Sequence, residues 1–275
     1  MPARPSLNSP STSGPTRSCR KRPITTARDA TPRLAANALR VLAVGTGGGG
    51  LALLAAFLGG WAPQVVRLGG QERYSLGSDG LLCLAFFVQH SGMVRRGFRA
   101  RLARLVPPHC HGAVYSIASG AMLALLVVLW QPSAIPAYAL RGVIRMIVRT
   151  FSLLALAGFV WSASALRSFD FFGDVPIRAR LKSRPERPAV LVVRGPYRWV
   201  RHPLYLCVLV LIWARPDVAA DRLLFSVLFS VWIVVGTVLE ERDLTSDFGD
   251  AYRDYRRRVP MLIPWRRRWR PSSAT

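Results

Sequence analysis

Residues 194–205 read Arg194-Gly195-Pro196-Tyr197-Arg198-Trp199-Val200-Arg201-His202-Pro203-Leu204-Tyr205, and an apolar block then runs to Leu239-Glu240-Glu241-Arg242-Asp243-Leu244. The block is broken once, by Arg215-Pro216-Asp217-Val218-Ala219-Ala220-Asp221-Arg222, where a proline and four charges argue for a turn. Two antiparallel helices follow from that break. The first, over about 203–214, is shorter than the ~20 residues a full bilayer crossing needs. Pro203 has a fixed φ and no N–H, so it suits the first helical turn and places His202 just before it. The hairpin then returns His202 and Glu240 to the same side of the bundle.

The polar ends of the hairpin carry the chemistry. Free N–H groups at the helix start, with Arg198 and Arg201 beside them, favour an anionic group. Gly195-Pro196 is a turn signal that leads the chain to that helix start. Tyr197, Trp199 and Tyr205 add aromatic faces, with Trp199 itself read as part of an interfacial aromatic belt. Glu240 and Glu241 point about 100° apart on a helix, so one of the two faces the site. Two carboxylates at a helix C-terminus oppose the macrodipole and call for a compensating arginine or bound cation. Downstream, Phe248, Tyr252, Tyr255 and Val259 recur at helical spacing with arginines between them. They predict an amphipathic helix on the membrane or against the preceding loop, ended by Pro260 and Pro264.

Four more apolar spans precede the hairpin, at about 39–60, 78–94, 112–130 and 143–166. The first carries Gly47-Gly48-Gly49-Gly50, tolerable in lipid where glycine marks close helix contact. The second ends in Gln89-His90-Ser91, where a lone histidine is ordinarily structural. The fold class expected is all-α, a polytopic integral membrane helix bundle of about six spans with the site in a cytoplasmic pocket. Residues 1–38, rich in Ser, Thr, Pro and Arg, read as a disordered basic tail. Residues 39–166 read as four transmembrane helices, 167–265 as a cofactor-binding region, and 266–275 as a second basic tail. The long connection 167–201 includes Phe169-Asp170-Phe171-Phe172-Gly173, expected in the membrane interface.

Charge sets the orientation. The chain of 275 residues is 51% hydrophobic and 19% charged, with a formal net charge of +24. The arginines flank apolar spans, where the positive-inside rule and anionic lipid headgroups account for them, so nucleic acid is not the partner. The N-terminal tail, 95–111, 167–201 and the C-terminal tail are strongly basic, whereas 61–77, 131–142 and 215–222 are not. That alternation places both termini inside, with Arg145 and Arg149 as the discordant pair. The cysteines, Cys19, Cys83, Cys110 and Cys207, form no CxxC pair, and Cys83 and Cys207 read as small buried hydrophobes. His109-Cys110-His111 alternates sides and lacks a fourth ligand, so no metal site is assigned. Nothing in the pattern specifies an oligomeric state.

Taken together, Gly195-Pro196-Tyr197, Arg201-His202-Pro203-Leu204-Tyr205, Glu240-Glu241 and Phe248-Gly249 with Tyr252 and Tyr255 resemble the C-terminal signature of the isoprenylcysteine carboxyl methyltransferase-like membrane enzymes. The longer runs from Tyr197 to Tyr205, Leu239 to Leu244 and Arg258 to Pro264 are most similar to the nurim-related branch of bacterial methanethiol S-methyltransferases, as is Gln89-His90-Ser91. The resemblance covers about 80–265. It implies an S-adenosyl-L-methionine site lined by Tyr197, His202, Pro203, Leu204, Tyr205 and Glu240, with backbone from Ala189, Val190, Leu191 and Val192. It implies methyl transfer to a small thiol, methanethiol giving dimethyl sulfide, with His202, His90 and Glu240 as candidates for the base. The prenylcysteine enzymes carry an arginine one helical turn before the acidic residue. Here Gly236 stands at that place, which disfavours a carboxylate-bearing acceptor. The alternatives are a membrane methyltransferase for another thiol or a lipid, and a non-catalytic NnrU-like membrane protein that keeps the signature for packing.

Overall fold

Proline and glycine punctuate a chain whose described residues are mostly helical. A computed structural model describes residues 27–61, 66, 71–166, 170–184 and 190–265, with backbone alone for 27–32. The α-helices are α1 (Ala27–Gly59), α2 (Glu72–Val94), α3 (Arg96–Leu102), α4 (His111–Leu129), α5 (Gly142–Ala165), α6 (Val175–Leu181), α7 (Pro203–Trp213), α8 (Ala220–Phe248) and α9 (Asp250–Arg258). Two strands, β1 (Pro136–Ala139) and β2 (Asp217–Ala219), pair antiparallel. Among the described residues, four stretches are long and apolar enough to cross a membrane: Arg33–Gly59, Pro108–Leu129, Gly142–Ala165 and Ala220–Phe248. Between α4 and α8 lies α2, whose Asp79, Gln89, His90 and Ser91 make it more polar. The helix α7 is apolar but only 11 residues long, about 16 Å.

The core draws on five helices. Phe57 of α1, Phe86 of α2, Leu126 of α4, Ile212 of α7, and Phe225 and Phe229 of α8 are all buried in one cluster. Phe225 and Phe229 stack at 4.0 Å between ring centroids, and Phe87 stacks on Trp232 at 4.9 Å. Against this, α5 turns Val143, Ile144, Met146, Phe151, Leu153 and Leu154 outward. A continuous exposed apolar face of that kind suits lipid rather than water.

The α1–α4 crossing depends on glycine. A Cβ on Gly50 would lie 2.5 Å from the Gly120 carbonyl oxygen, and one on Gly120 would lie 2.3 Å from the Thr46 carbonyl oxygen. The two backbones therefore touch, as the glycine run in the first span suggests.

One end of the bundle is tied by polar contacts between segments far apart in sequence. Alongside the β1–β2 pairing, Leu140 N–H donates to Pro216 O and Ala220 N–H to Ile135 O. Arg145 pairs with Asp217 through both guanidinium nitrogens, at 2.7 and 2.8 Å, so this discordant arginine is neutralised. The last carbonyls of α1, which have no helical donor, are taken by Arg215 at Phe57 and Leu58 and by Arg222 at Phe57. Arg222 also lies 3.4 Å over the Phe57 ring. Asp221, fully buried, accepts from Trp130 Nε1 at 2.8 Å and pairs with Arg222 at 3.3 Å. Asp79, equally buried, accepts the Gln131 N–H at 2.9 Å.

Several expectations change. Residues 27–38, expected within a disordered tail, are helical and continue into the first span. The reason is tertiary: Ala36 and Leu39 pack with Ala43, Ala113 and Ile177, and Arg40 lies 3.5 Å from Asp174. The remainder of that tail and the basic tail 266–275 lie outside the described residues. Phe248 belongs to α8, because Gly249 at φ +57° ends that helix before α9 starts, so Glu240 and Glu241, expected at a helix C-terminus, lie about two turns inside α8. Of the two places expected for α9, its apolar face packs against the preceding loop through Leu191 and Val193, and against Leu244 of α8. His111 opens α4 with its Nε2 2.9 Å from Val106 O.

Candidate active site

At the end of the bundle away from the strand pair, the chain before α7 meets the end of α8 and the segment after α9. Arg201 N–H donates to Pro260 O at 2.9 Å and His202 N–H to Met261 O at 3.1 Å. This pairing explains why the Val259-Pro260-Met261 run matters: it is the shelf on which Arg201-His202 is fixed. Pro203 is the first residue of α7, as its chemistry requires, and Leu206 N–H closes the first turn on His202 O at 3.1 Å. The turn at Gly195 packs on the end of α5, where Arg194 Nε donates to Ala165 O at 2.7 Å and Trp199 meets Trp161 edge-on.

The two glutamates sit in different surroundings. Glu241 is buried and receives Arg201 Nε at 2.6 Å, Arg256 Nε at 3.3 Å and His202 Nε2 at 3.3 Å. It is the structural member, and the compensating partners are arginines. Glu240 is 43% exposed on its side chain; it accepts the Tyr205 hydroxyl at 2.8 Å and lies 3.9 Å from His202 Nδ1. The Tyr205 ring lies parallel to His202, 7° apart in plane and 5.6 Å between centroids. Around them, Tyr252 and Tyr255 of α9 are buried with Leu191 and Val193. Burial pushes the phenols of Tyr197, Tyr252 and Tyr255 up, so they stay neutral, and Tyr255 donates to Tyr197 O at 2.6 Å.

Beyond Tyr205 lies an apolar cavity of about 270 Å³. Its walls come from α1, α2, α4, α7 and α8, with Phe171 and Phe172 of the connection after α5. Those two phenylalanines line this chamber, with Phe171 still 39% exposed; Phe169 lies outside the described residues. Gly173 makes the turn possible. It adopts φ +68°, and a Cβ there would overlap the Gly112 backbone. Asp170 then accepts the N–H groups of Asp174 and Val175 at 3.0 Å and so starts α6.

The structure therefore brings together some of the residues singled out in sequence and separates others. His202, Tyr205 and Glu240 are in mutual contact, with Tyr197 buried beside them through Tyr255. His90 lies on the chamber wall with Tyr115, whose hydroxyl is 2.7 Å from His90 Nε2. Gln89 and Ser91 bond to Ser119 and Trp232, so the Gln89-His90-Ser91 run ties α2 to α4 and α8. Leu204 is half-buried and off the chamber lining. Leu191 packs on α9, Val192 is half-buried and Val190 is 73% exposed; Ala189 lies outside the described residues. Sequence reasoning missed the chamber and Tyr115, because one tyrosine in an apolar span carries no signal. It also left open which glutamate is buried, since that depends on where Arg201 and Arg256 come to rest.

Fold and site together define a helical integral membrane protein with a charged recess at one end of an apolar chamber. The chain belongs to the NnrU protein family, which it matches over residues 80–266. It is 37% identical over 197 residues to a methanethiol S-methyltransferase from a Pseudomonas species, covering 68% of this chain and 73% of that one. It is 37% identical over 185 residues to the methanethiol S-methyltransferase of Mycobacterium tuberculosis, covering 66% and 74%. Over 116 residues it is 31% identical to the protein-S-isoprenylcysteine O-methyltransferase of Schizosaccharomyces pombe, covering 40% and 46%. No solved structure matches this chain.

Proposed function

We propose that this protein is a membrane methyltransferase that uses S-adenosylmethionine to methylate a small neutral thiol, converting methanethiol to dimethyl sulfide. The observation that carries the reading is the position of Tyr205. Its ring lines the apolar chamber while its hydroxyl is bonded to Glu240 beside His202. The six relatives of similar length that are named methanethiol S-methyltransferase support the same activity.

The residues present suit the cofactor. Arg198 Nε and the Tyr252 hydroxyl are buried without a hydrogen-bond partner among the described residues, and buried polar atoms of that kind ordinarily have one. Glu240 offers a half-exposed carboxylate. Arg198 would meet the cofactor carboxylate and Glu240 its ammonium, with Tyr197, His202, Pro203, Leu204, Tyr205 and the 190–192 backbone as walls. When bound, S-adenosylmethionine supplies an electrophilic methyl group on a sulfonium. The chamber holds the thiol out of water. Tyr205 takes the thiol proton as its own hydroxyl proton passes to Glu240, and Glu240 returns that proton to solvent. Glu241 and Arg201 hold His202 in place, and His90 with Tyr115 forms the polar corner of the chamber.

In the membrane, α2 and the short α7 complete a bundle of six spans, with both termini and the cofactor site on the cytoplasmic face of the bacterial inner membrane. The arginines at that end favour anionic headgroups, and Arg145–Asp217 removes a charge from the other end. Residues 39–166 form the membrane scaffold, and 167–265 hold the cofactor. Headspace analysis of cells expressing the protein and fed methanethiol is the test. Dimethyl sulfide is expected at levels well above a Glu240→Ala control. Equal amounts from both, with the variant folded, would sink the assignment.

A further inference from the structure

We infer that the acceptor chamber takes lipophilic, uncharged thiols considerably larger than methanethiol, of the size of hexanethiol or thiophenol. The inference rests on the functional reading above and names the substrate class of that site. Its first support is volume. The cavity is about 270 Å³, whereas a cavity of about 150 Å³ with Leu, Ile and Phe walls already accepts benzene. Methanethiol would occupy only the corner beside Tyr205.

The second support is shape. The lining runs along α7 from Tyr205 to Ile212 and along α8 from Phe225 to Ile233, which is roughly 10 and 12 Å of helix at 1.5 Å per residue. The chamber is thus elongated away from the polar recess, with the sulfur end at Tyr205 and a tail end toward Leu58 and Phe225. The third support is chemistry. Among the described residues, no Asp, Glu, Lys or Arg lines the chamber. The polar side chains there belong to His90, Tyr115, Ser116, Ser119 and Tyr205, and their hydroxyl and ring groups are engaged by neighbours: Tyr115 with His90, Ser116 with Ala43 O, Ser119 with Gln89 and Tyr205 with Glu240. An alkyl or aryl tail matches the remaining wall, and a charged tail would enter it unpaired. In the reaction the methyl–sulfonium bond breaks, the bond from the thiol sulfur to that methyl forms, and the thiol proton leaves by Tyr205 and Glu240.

The experiment uses the full chain in detergent or nanodiscs with S-adenosylmethionine and a series of methanethiol, butanethiol, hexanethiol, thiophenol and mercaptopropionate. Each buried methylene strengthens apolar binding up to roughly fourfold. KM is therefore expected to fall along the alkyl series, with mercaptopropionate a poor acceptor. Leu54→Trp, placed toward the tail end, is expected to lower the ratio of kcat/KM for hexanethiol to that for methanethiol at least tenfold. Leu58→Phe, also at the tail end, serves the same purpose should the first variant not fold. Independently of turnover, hexyl methyl sulfide is expected to raise the Tm of cofactor-free protein and to do so less in the variants. Turnover of methanethiol with none of butanethiol, hexanethiol or thiophenol overturns the inference and leaves the functional reading standing. An unchanged kcat/KM ratio in folded variants also overturns it. Turnover of no thiol by folded protein overturns the functional reading and the inference with it.

Discussion

Arg201 and Glu241 form a 2.6 Å ion pair with side chains only 8% and 7% exposed, and this pair joins the segment just before α7 to α8 about two turns before its end. A buried pair broken on one side leaves an uncompensated charge, which costs about 3–5 kcal/mol. Glu241→Ala would strand Arg201 and release His202 and Arg256 together. A large drop in Tm is expected, with activity lost through unfolding of the site. Its neighbour behaves differently. Glu240 is half-exposed, so Glu240→Gln should move stability by no more than about 0.5 kcal/mol and still remove most of the methyl transfer. Equal Tm losses for the two variants would contradict the division of labour between them.

Tyr205→Phe keeps the ring stacked on His202 and removes the hydroxyl that reaches Glu240. Loss of a positioned proton-transfer group costs about a hundredfold or more in rate. The expected result is a lower kcat at nearly unchanged Tm and thiol KM. A variant with wild-type kcat would remove the hydroxyl from the proposed proton path.

Gly173→Ala tests how the chamber is closed. A side chain at φ +68° costs about 1–2 kcal/mol, and here the added carbon also collides with the Gly112 backbone. The turn must open, which pulls Phe171 and Phe172 from the chamber. Faster proteolysis near residue 173 and weaker turnover are expected. Alanine tolerated without change in either would mean the turn is not held against α4.

These tests also mark what could be read before folding. The start of α7 was legible from Pro203 alone, because proline chemistry is local. The hairpin and its break at Arg215-Pro216 were legible from hydropathy. The sequence specifies the partner of Glu241 only as a cation or an arginine, because Arg201 is 40 residues away and only the bundle decides which arginine arrives. The β1–β2 pairing joins residues about 80 apart, Pro136 to Ala219, and each strand is too short to carry an alternating pattern. The place of Phe171 and Phe172 in the chamber wall is not legible in sequence, because it rests on the contact between Gly173 and Gly112.

The far end of the bundle gives a contrast between two aspartates. Asp221 is 2% exposed and holds both Trp130 and Arg222, so Asp221→Ala should cost about 3–5 kcal/mol. Asp217 is 52% exposed opposite Arg145. A double-mutant cycle on Arg145 and Asp217 should return a coupling of about 1 kcal/mol or less, weakened by salt. A coupling for the exposed pair that matches the Asp221 loss would reverse this ranking.

Gly236 supplies the last test. It lies on α8 one turn before Glu240, so both residues face the same way, and a Cβ there would meet nothing within 4 Å. Gly236→Arg should therefore fold, with a gain of about 1 kcal/mol in helix propensity offsetting the cost of ordering the longer side chain. A guanidinium beside the Glu240 carboxylate would give an acceptor carboxylate a bidentate partner. It would also place a charge near the mouth of a chamber that has none in its walls. The expected outcome is a shift of preference. Turnover of mercaptopropionate should rise relative to methanethiol by about tenfold, one charge-assisted hydrogen bond being worth about 1.5 kcal/mol or more. Competition between the two thiols in one reaction, read as the ratio of their methylated products, measures the shift directly. A folded variant with the wild-type ratio would show that position 236 does not face the acceptor.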